Sequence, residues 1–315
     1  MRAAVATLVC LAAVAVSVLA RAPASQVSSQ NRDRSSHQVR WVTIDSSVKL
    51  EVLDWGGSGP PLVLLACYVS THVYDEFAPK LTDQFHVYGI TRRGIGASDK
   101  PATGYSVQQS ANDLFEVLNA LKLQQALLVG HSCAGQVLTM FAAEHGDRLR
   151  GLIYLDGATD PTLDAEVGSP YPDFATLPRP ISNGTKRSWD FPEAINQEQL
   201  NPVTRLDPVI RKAITVDARM KPDYTRVRVP VLAIYQAQPP FEEVAAGYTI
   251  RNDKERAALR QYYAATRALY ARWQQDLLAG VPTARIVELP GANLYMFLSN
   301  EADVVREIRS FVNGL

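Results

Sequence analysis

Leu127-Leu128-Val129-Gly130-His131-Ser132-Cys133-Ala134-Gly135-Gln136 is an apolar run that breaks at a glycine, presents one serine and resumes with helical spacing. Small residues stand two before the serine (Gly130), two after it (Ala134) and three after it (Gly135), as a very tight strand-to-helix turn requires. A serine in such a turn is forced into a strained backbone conformation, with its hydroxyl raised above the sheet. The strict G-x-S-x-G pattern has glycine where this chain has Ala134. Two readings follow: Ser132 is an exposed nucleophile, or a buried serine capping the helix behind it.

On the amino-terminal side, Leu62 to Ala66 and His86 to Ile90 are strand-like runs, and Gln38 to Ile44 pairs with Val48 to Leu53 around an Asp45-Ser46-Ser47 turn. Apolar spacing predicts helices over Val73 to Leu81 and Ala111 to Leu121. On the carboxyl side a helix from Ala134 to Glu144 leads to a strand at Leu152 to Leu155. Val231 to Tyr235 and Arg285 to Leu289 are further strands, and Lys254 to Leu278 and Ala302 to Phe311 further helices. Strands alternating with helices predict an α/β fold with a mostly parallel sheet covered on both faces. From Gly157 to Arg226 prolines and charges replace strand signals, so residues 157–226 read as a cap inserted over the carboxyl ends of the strands, where open α/β sheets bind ligands. Its aromatic residues Phe174, Trp189, Phe191 and Tyr224 either line an apolar pocket or form the cap's own core.

The 315 residues carry 32 basic and 32 acidic side chains and are 47% hydrophobic, which suits a globular protein and leaves no basic footprint for nucleic acid or a membrane surface. No Cys/His/Asp set has metal-ligand spacing, and Gly94-Ile95-Gly96 lacks the third glycine of a dinucleotide loop, so neither a metal nor a cofactor is expected. Met1-Arg2, then uninterrupted apolar or small sequence from Ala3 to Ala20, then small-x-small sites, read as a signal peptide over residues 1–24, with an uncleaved anchor as the alternative. Residues 25–37 form a polar leader. The remainder divides into a core over 38–156, the cap, and a second core segment over 227–315. The protein is expected to be secreted or periplasmic, and free of the membrane once the leader is removed.

Four stretches together resemble the α/β-hydrolase superfamily from about residue 40 to Leu315: the Gly130–Gly135 elbow, Arg92-Arg93-Gly94-Ile95-Gly96-Ala97-Ser98, Tyr154-Leu155-Asp156, and Leu289-Pro290-Gly291-Ala292-Asn293. The resemblance implies an α/β-hydrolase fold and a serine esterase or peptidase type of site, with nucleophile, acid and histidine in that chain order. Ser132 takes the first place. The acid maps to Asp156, with Glu242 and Glu243 as alternatives and a structural strand-end aspartate as a third reading. The oxyanion donors map to the backbone N–H groups of Tyr68 and Cys133.

Two departures matter. Where relatives place a histidine after Gly-Ala-Asn, this chain has Leu294, and where they follow the Leu64-Leu65 strand with His-Gly, it has Ala66-Cys67. His37, His72, His86, His131 and His145 each read as structural, His72 least securely. Cys67 and Cys133 fall on two segments that converge at the oxyanion hole in this fold, so they either form a disulfide that obstructs or reshapes the hole or pack as two free thiols. The chain is therefore read as an exported, esterase-like serine hydrolase of a small-molecule substrate, impaired at Leu294. The alternative is a non-catalytic member that binds a small apolar ligand or a partner.

Overall fold

The structure, a computed structural model, describes residues 37–45, 47–163, 177–180, 208–214 and 219–315, all within one unit of the chain. Its strands in chain order are β1 (Gln38–Ile44), β2 (Val48–Gly56), β3 (Pro61–Leu65), β4 (His86–Ile90), β5 (Ala126–His131), β6 (Leu149–Leu155), β7 (Arg179–Pro180), β8 (Val231–Gln236), β9 (Tyr248–Thr249) and β10 (Arg285–Leu289). The helices are α1 (Val107–Ala120), α2 (Ala134–His145), α3 (Pro208–Lys212), α4 (Phe241–Ala246), α5 (Asp253–Gly280), α6 (Met296–Ser299) and α7 (Glu301–Asn313). Eight strands form one sheet in the order β1-β2-β4-β3-β5-β6-β8-β10. β2 runs antiparallel to both its neighbours, and every later pairing is parallel.

The central strands are apolar throughout because both faces of the sheet are covered. Their side chains alternate between two cores: Val63, Leu65, Leu128 and Tyr154 meet residues of α1, α2 and α5, while Leu62, Leu64, Val129 and Ile153 meet Phe77, Phe297 and α7. Because β3, β4, β5, β6 and β8 run parallel, their carboxyl ends share one edge of the sheet, and the elbow and the Asp156 loop emerge there together.

The expected helix over Val73 to Leu81 is replaced by two 3-10 turns, Thr71–Tyr74 and Ala78–Leu81. Pro79 explains the break, since it has no N–H to give the preceding turn and its ring clashes with that turn's carbonyls. The helix placed at Ala111 begins earlier, at Val107, where the Ser106 hydroxyl caps the Gln109 amide at 3.0 Å. Within the strandless stretch expected over 157–226, Arg179–Pro180 pairs antiparallel with Tyr248–Thr249. Ile210 and Ile214 pack on Ile95, Tyr105 and Tyr68, so this part of the stretch lies against the loops after β3 and β4. Tyr224 belongs to the main core rather than to a pocket. Phe174, Trp189, Phe191 and the leader up to residue 36 lie outside the described residues. Among the described residues no helix is long and apolar enough to cross a membrane.

Candidate active site

Ser132 has φ 53°, in the left-handed region that disfavours a side chain, and is held there from both sides. Its amide donates to the Leu155 carbonyl at 3.0 Å, and its carbonyl accepts from the Gly135 amide at 2.9 Å. A Cβ on Gly135 would stand 1.9 Å from the Gly157 carbonyl oxygen, and one on Gly157 2.7 Å from that of Gly130. The close approach thus falls on Gly135, and Ala134 is buried in the core, which accounts for the loosened motif. Cys133, not Ser132, is the N-cap of α2, and the Ser132 hydroxyl has no hydrogen-bond partner among the described residues. The capping reading of Ser132 therefore fails.

Asp156 follows β6, also strained, at φ 50°. Its amide donates to the Ile234 carbonyl at 2.8 Å. Oδ2 accepts from Gln236 Nε2 at 2.8 Å and from the Tyr270 hydroxyl at 2.9 Å. Oδ1 is buried with no partner among the described residues. Burial pushes the carboxyl up to about 6, against the pull of the Tyr270 and Gln236 hydrogen bonds. The alternatives after β8 do not share this setting: Glu242 is exposed and paired with Arg256 and Arg260, and Glu243 is exposed.

A carboxyl whose pKa is raised on folding is penalised when it ionises. Relative to wild type, Asp156→Asn is therefore expected to gain stability as pH rises from about 4 to 6, by about 3 kcal/mol at most, and to hold that gain above 6. Urea denaturation of both proteins across that range measures it. A difference independent of pH would show that Asp156 titrates normally.

Leu294, where the resemblance places a histidine, lies in the loop after β10. Its carbonyl accepts from His131 Nε2 at 2.9 Å, which stitches this loop to the residue just before Ser132. Its side chain packs on the core that holds Phe297 and Leu155. Burial holds His131 down at about 4, so the ring is neutral, Nε2 carries the proton, and Nδ1 is bare, without a partner among the described residues.

The other imidazoles are engaged elsewhere. His86 meets Asp54 at 2.8 Å, and His145 stacks on Phe115 with centroids 4.2 Å apart. His37 meets Asp75 at 3.4 Å. His72 lies between Asp75 and Glu51 at 3.0 and 3.4 Å; burial opposes its charge, but in the metal-free protein those two carboxylates lift it to about 10, and both its ring nitrogens face them rather than Ser132. Among the described residues no imidazole reaches the Ser132 hydroxyl.

Cys67 and Cys133 are bridged, with their Cα atoms 5.0 Å apart, inside the roughly 7 Å limit for a disulfide. The bond joins the residue before Tyr68 to the residue after Ser132. The backbone amides of Tyr68 and Cys133 have no acceptor among the described residues, the state expected of donors awaiting an oxyanion. The Arg92 guanidinium is buried beside the bridge, with Nη1 3.8 Å from Cys133 Sγ and Nη2 3.2 Å from the Ser110 hydroxyl. Arg92, Gln236 and Tyr270 were not singled out as site residues by sequence. Gln236 alone left a signal, as the polar end of an apolar strand.

Residues 57–307 match the model of the alpha/beta hydrolase family. Over 101 residues, 32% of this chain, the sequence is 33% identical to 2-(acetamidomethylene)succinate hydrolase of Mesorhizobium japonicum and 36% identical to a soluble epoxide hydrolase of a Corynebacterium. These alignments span 36% and 35% of the relatives' lengths, about a third. An esterase from Exiguobacterium antarcticum superposes with a TM-score of 0.62 over 88% of this chain and 100% of the esterase, at 18% identity, a likeness of fold.

Proposed function

The chain belongs to the alpha/beta hydrolase family, and from that premise we propose an exported serine hydrolase of the esterase type whose turnover is held low by Leu294. The observation that carries this reading is the combination of a strained Ser132, whose hydroxyl has no hydrogen-bond partner among the described residues, with a buried Asp156 whose Oδ1 has no donor among them. In the proposed reaction Ser132 Oγ attacks an ester carbonyl, the developing oxyanion is taken by the amides of Tyr68 and Cys133, and the serine proton leaves to solvent. Collapse of the tetrahedral adduct breaks the ester C–O bond and expels the alcohol, protonated by water, and a water molecule then attacks the acyl-serine to release the acid and regenerate Ser132. An oxyanion hole and binding alone sustain about 10³- to 10⁴-fold over water, whereas loss of the base costs roughly 10⁴ to 10⁶.

Small-molecule substrates are supported by the names of the hydrolases the chain resembles. Secretion or periplasmic residence is supported by the apolar run of residues 3–20 and by the disulfide, which suits an oxidising compartment. Leu294 itself favours one second reading, a non-catalytic relative that keeps the scaffold to bind a small apolar ligand.

Fluorophosphonate labelling with p-nitrophenyl acetate turnover separates the two. Slow labelling is expected, at Ser132 alone, and Ser132→Ala should abolish both labelling and turnover. Wild-type protein that neither labels nor turns over leaves the binding reading.

A further inference from the structure

Outside the serine site, one cluster of side chains among the described residues has the composition of a metal centre. We infer that His37, His72 and Asp75 bind a divalent transition-metal ion of the zinc type. One ligand atom from each lies within 4.8 Å of the other two. Asp75 spans the pair, Oδ1 3.4 Å from His37 Nδ1 and Oδ2 3.0 Å from His72 Nδ1, separations already close to those of atoms sharing one ion with bonds of about 2 Å.

The fold brings these ligands together from two distant segments. His72 lies in the 3-10 turn Thr71–Tyr74 and Asp75 is its C-cap, and residues three apart in such a turn eclipse each other and so project from one face. His37, just before β1, reaches the same face, where its ring stands edge-on to Trp55 at 5.6 Å and to His72 at 5.2 Å. Its side chain is 3% exposed and that of Asp75 13%, while 26% exposure at His72 leaves a side open for a water ligand.

An outer shell is also in place. His72 Nε2 faces Glu51 Oε1 at 3.4 Å, and Glu51 is buried and receives the Thr91 hydroxyl on Oε2 at 2.8 Å. A metal-bound imidazole characteristically gives its second N–H to a carboxylate held in this manner, which fixes ring orientation and strengthens the ligand. Two imidazoles and a carboxylate suit zinc and its neighbours rather than calcium or magnesium, and a divalent ion would balance Asp75 and Glu51 with both rings neutral. Spacing along the chain concealed the set, because one ligand stands 35 residues ahead of the next, 72 less 37. The inference is independent of any chemistry at Ser132.

Tag-free protein stripped with a chelator, titrated with zinc chloride by calorimetry and with cobalt(II) followed by visible d–d absorption, tests it. One saturable site per chain is expected, with a rise in Tm on zinc addition that chelation reverses. His37→Gln and Asp75→Asn should abolish the cobalt bands, and Glu51→Gln, which removes no ligand, should weaken zinc about 10- to 100-fold. Circular dichroism establishes that each variant is folded, and the Glu51 variant leaves the three ligands in place should either ligand variant fail to fold. Absence of saturable uptake by wild type, or zinc affinity unchanged in Asp75→Asn and Glu51→Gln, would overturn the site and leave an ion-pair cluster around protonated His72.

Discussion

Leu294→His is expected to raise ester hydrolysis and fluorophosphonate capture by on the order of 10³-fold, part of the 10⁴ to 10⁶ that a base contributes to a serine triad. The Leu294 carbonyl is fixed by His131 at 2.9 Å, so the backbone that would carry the ring is anchored to the serine turn. Asp156 offers Oδ1, a buried acceptor with no donor among the described residues, while Gln236 and Tyr270 secure Oδ2. The resemblance implies that a histidine at 294 would take the base's role, with Nδ1–H on Oδ1 and Nε2 toward Ser132, and the gain in rate is the expected sign of that pairing. Removing that acceptor in Leu294→His/Asp156→Asn should cancel most of the gain, and adding Ser132→Ala should cancel all of it. The ratio of kcat/KM between Leu294→His and wild type is the measurement. Fast wild-type turnover with no improvement in the variant would mean that another group serves as base.

What the sequence disclosed and what it concealed divide along the distance between partners. β3, β5, β6 and β8 were legible because burial on both faces demands an unbroken apolar run, and Ser132 and Asp156 because each stands at the end of such a run. The Val73 to Leu81 stretch misled because its apolar spacing is helical while Pro79 interrupts the hydrogen bonds an α-helix needs. The partners of Asp156 could not be read locally: Gln236 lies 80 residues from it and Tyr270 lies 114. The tie between His131 and Leu294 spans 163 residues. The same distance effect hid the difference in setting between buried Asp156 and the exposed glutamates after β8. Spacing also left the cysteines undecided between a bridge and free thiols, since only the approach of the β3 and β5 ends brings them within bonding range.

That bridge is the second large lever. It closes a loop of 66 residues, for which the chain-entropy estimate is a loss of about 4 kcal/mol on opening. Reduced wild type and Cys67→Ala/Cys133→Ala should therefore unfold in urea at lower midpoints than the oxidised protein, with similar m-values. Denatured without reductant, the protein should yield no titratable thiol from Cys67 or Cys133; two thiols there would refute the bond. Its removal should also reach the chemistry. The disulfide ties the Tyr68 segment to the residue after Ser132, and loss of one aligned oxyanion donor costs about 10² to 10³ in turnover. In the Leu294→His background, opening the bridge is expected to lower kcat on that scale while leaving Ser132 able to label. The freed thiols should also differ. Cys133 Sγ lies 3.8 Å from the Arg92 guanidinium, so its thiolate is favoured by the cation, and iodoacetamide should modify Cys133 ahead of Cys67 in the reduced, folded protein. Arg92→Leu should erase that preference, because the selectivity arises from the buried charge rather than from access alone.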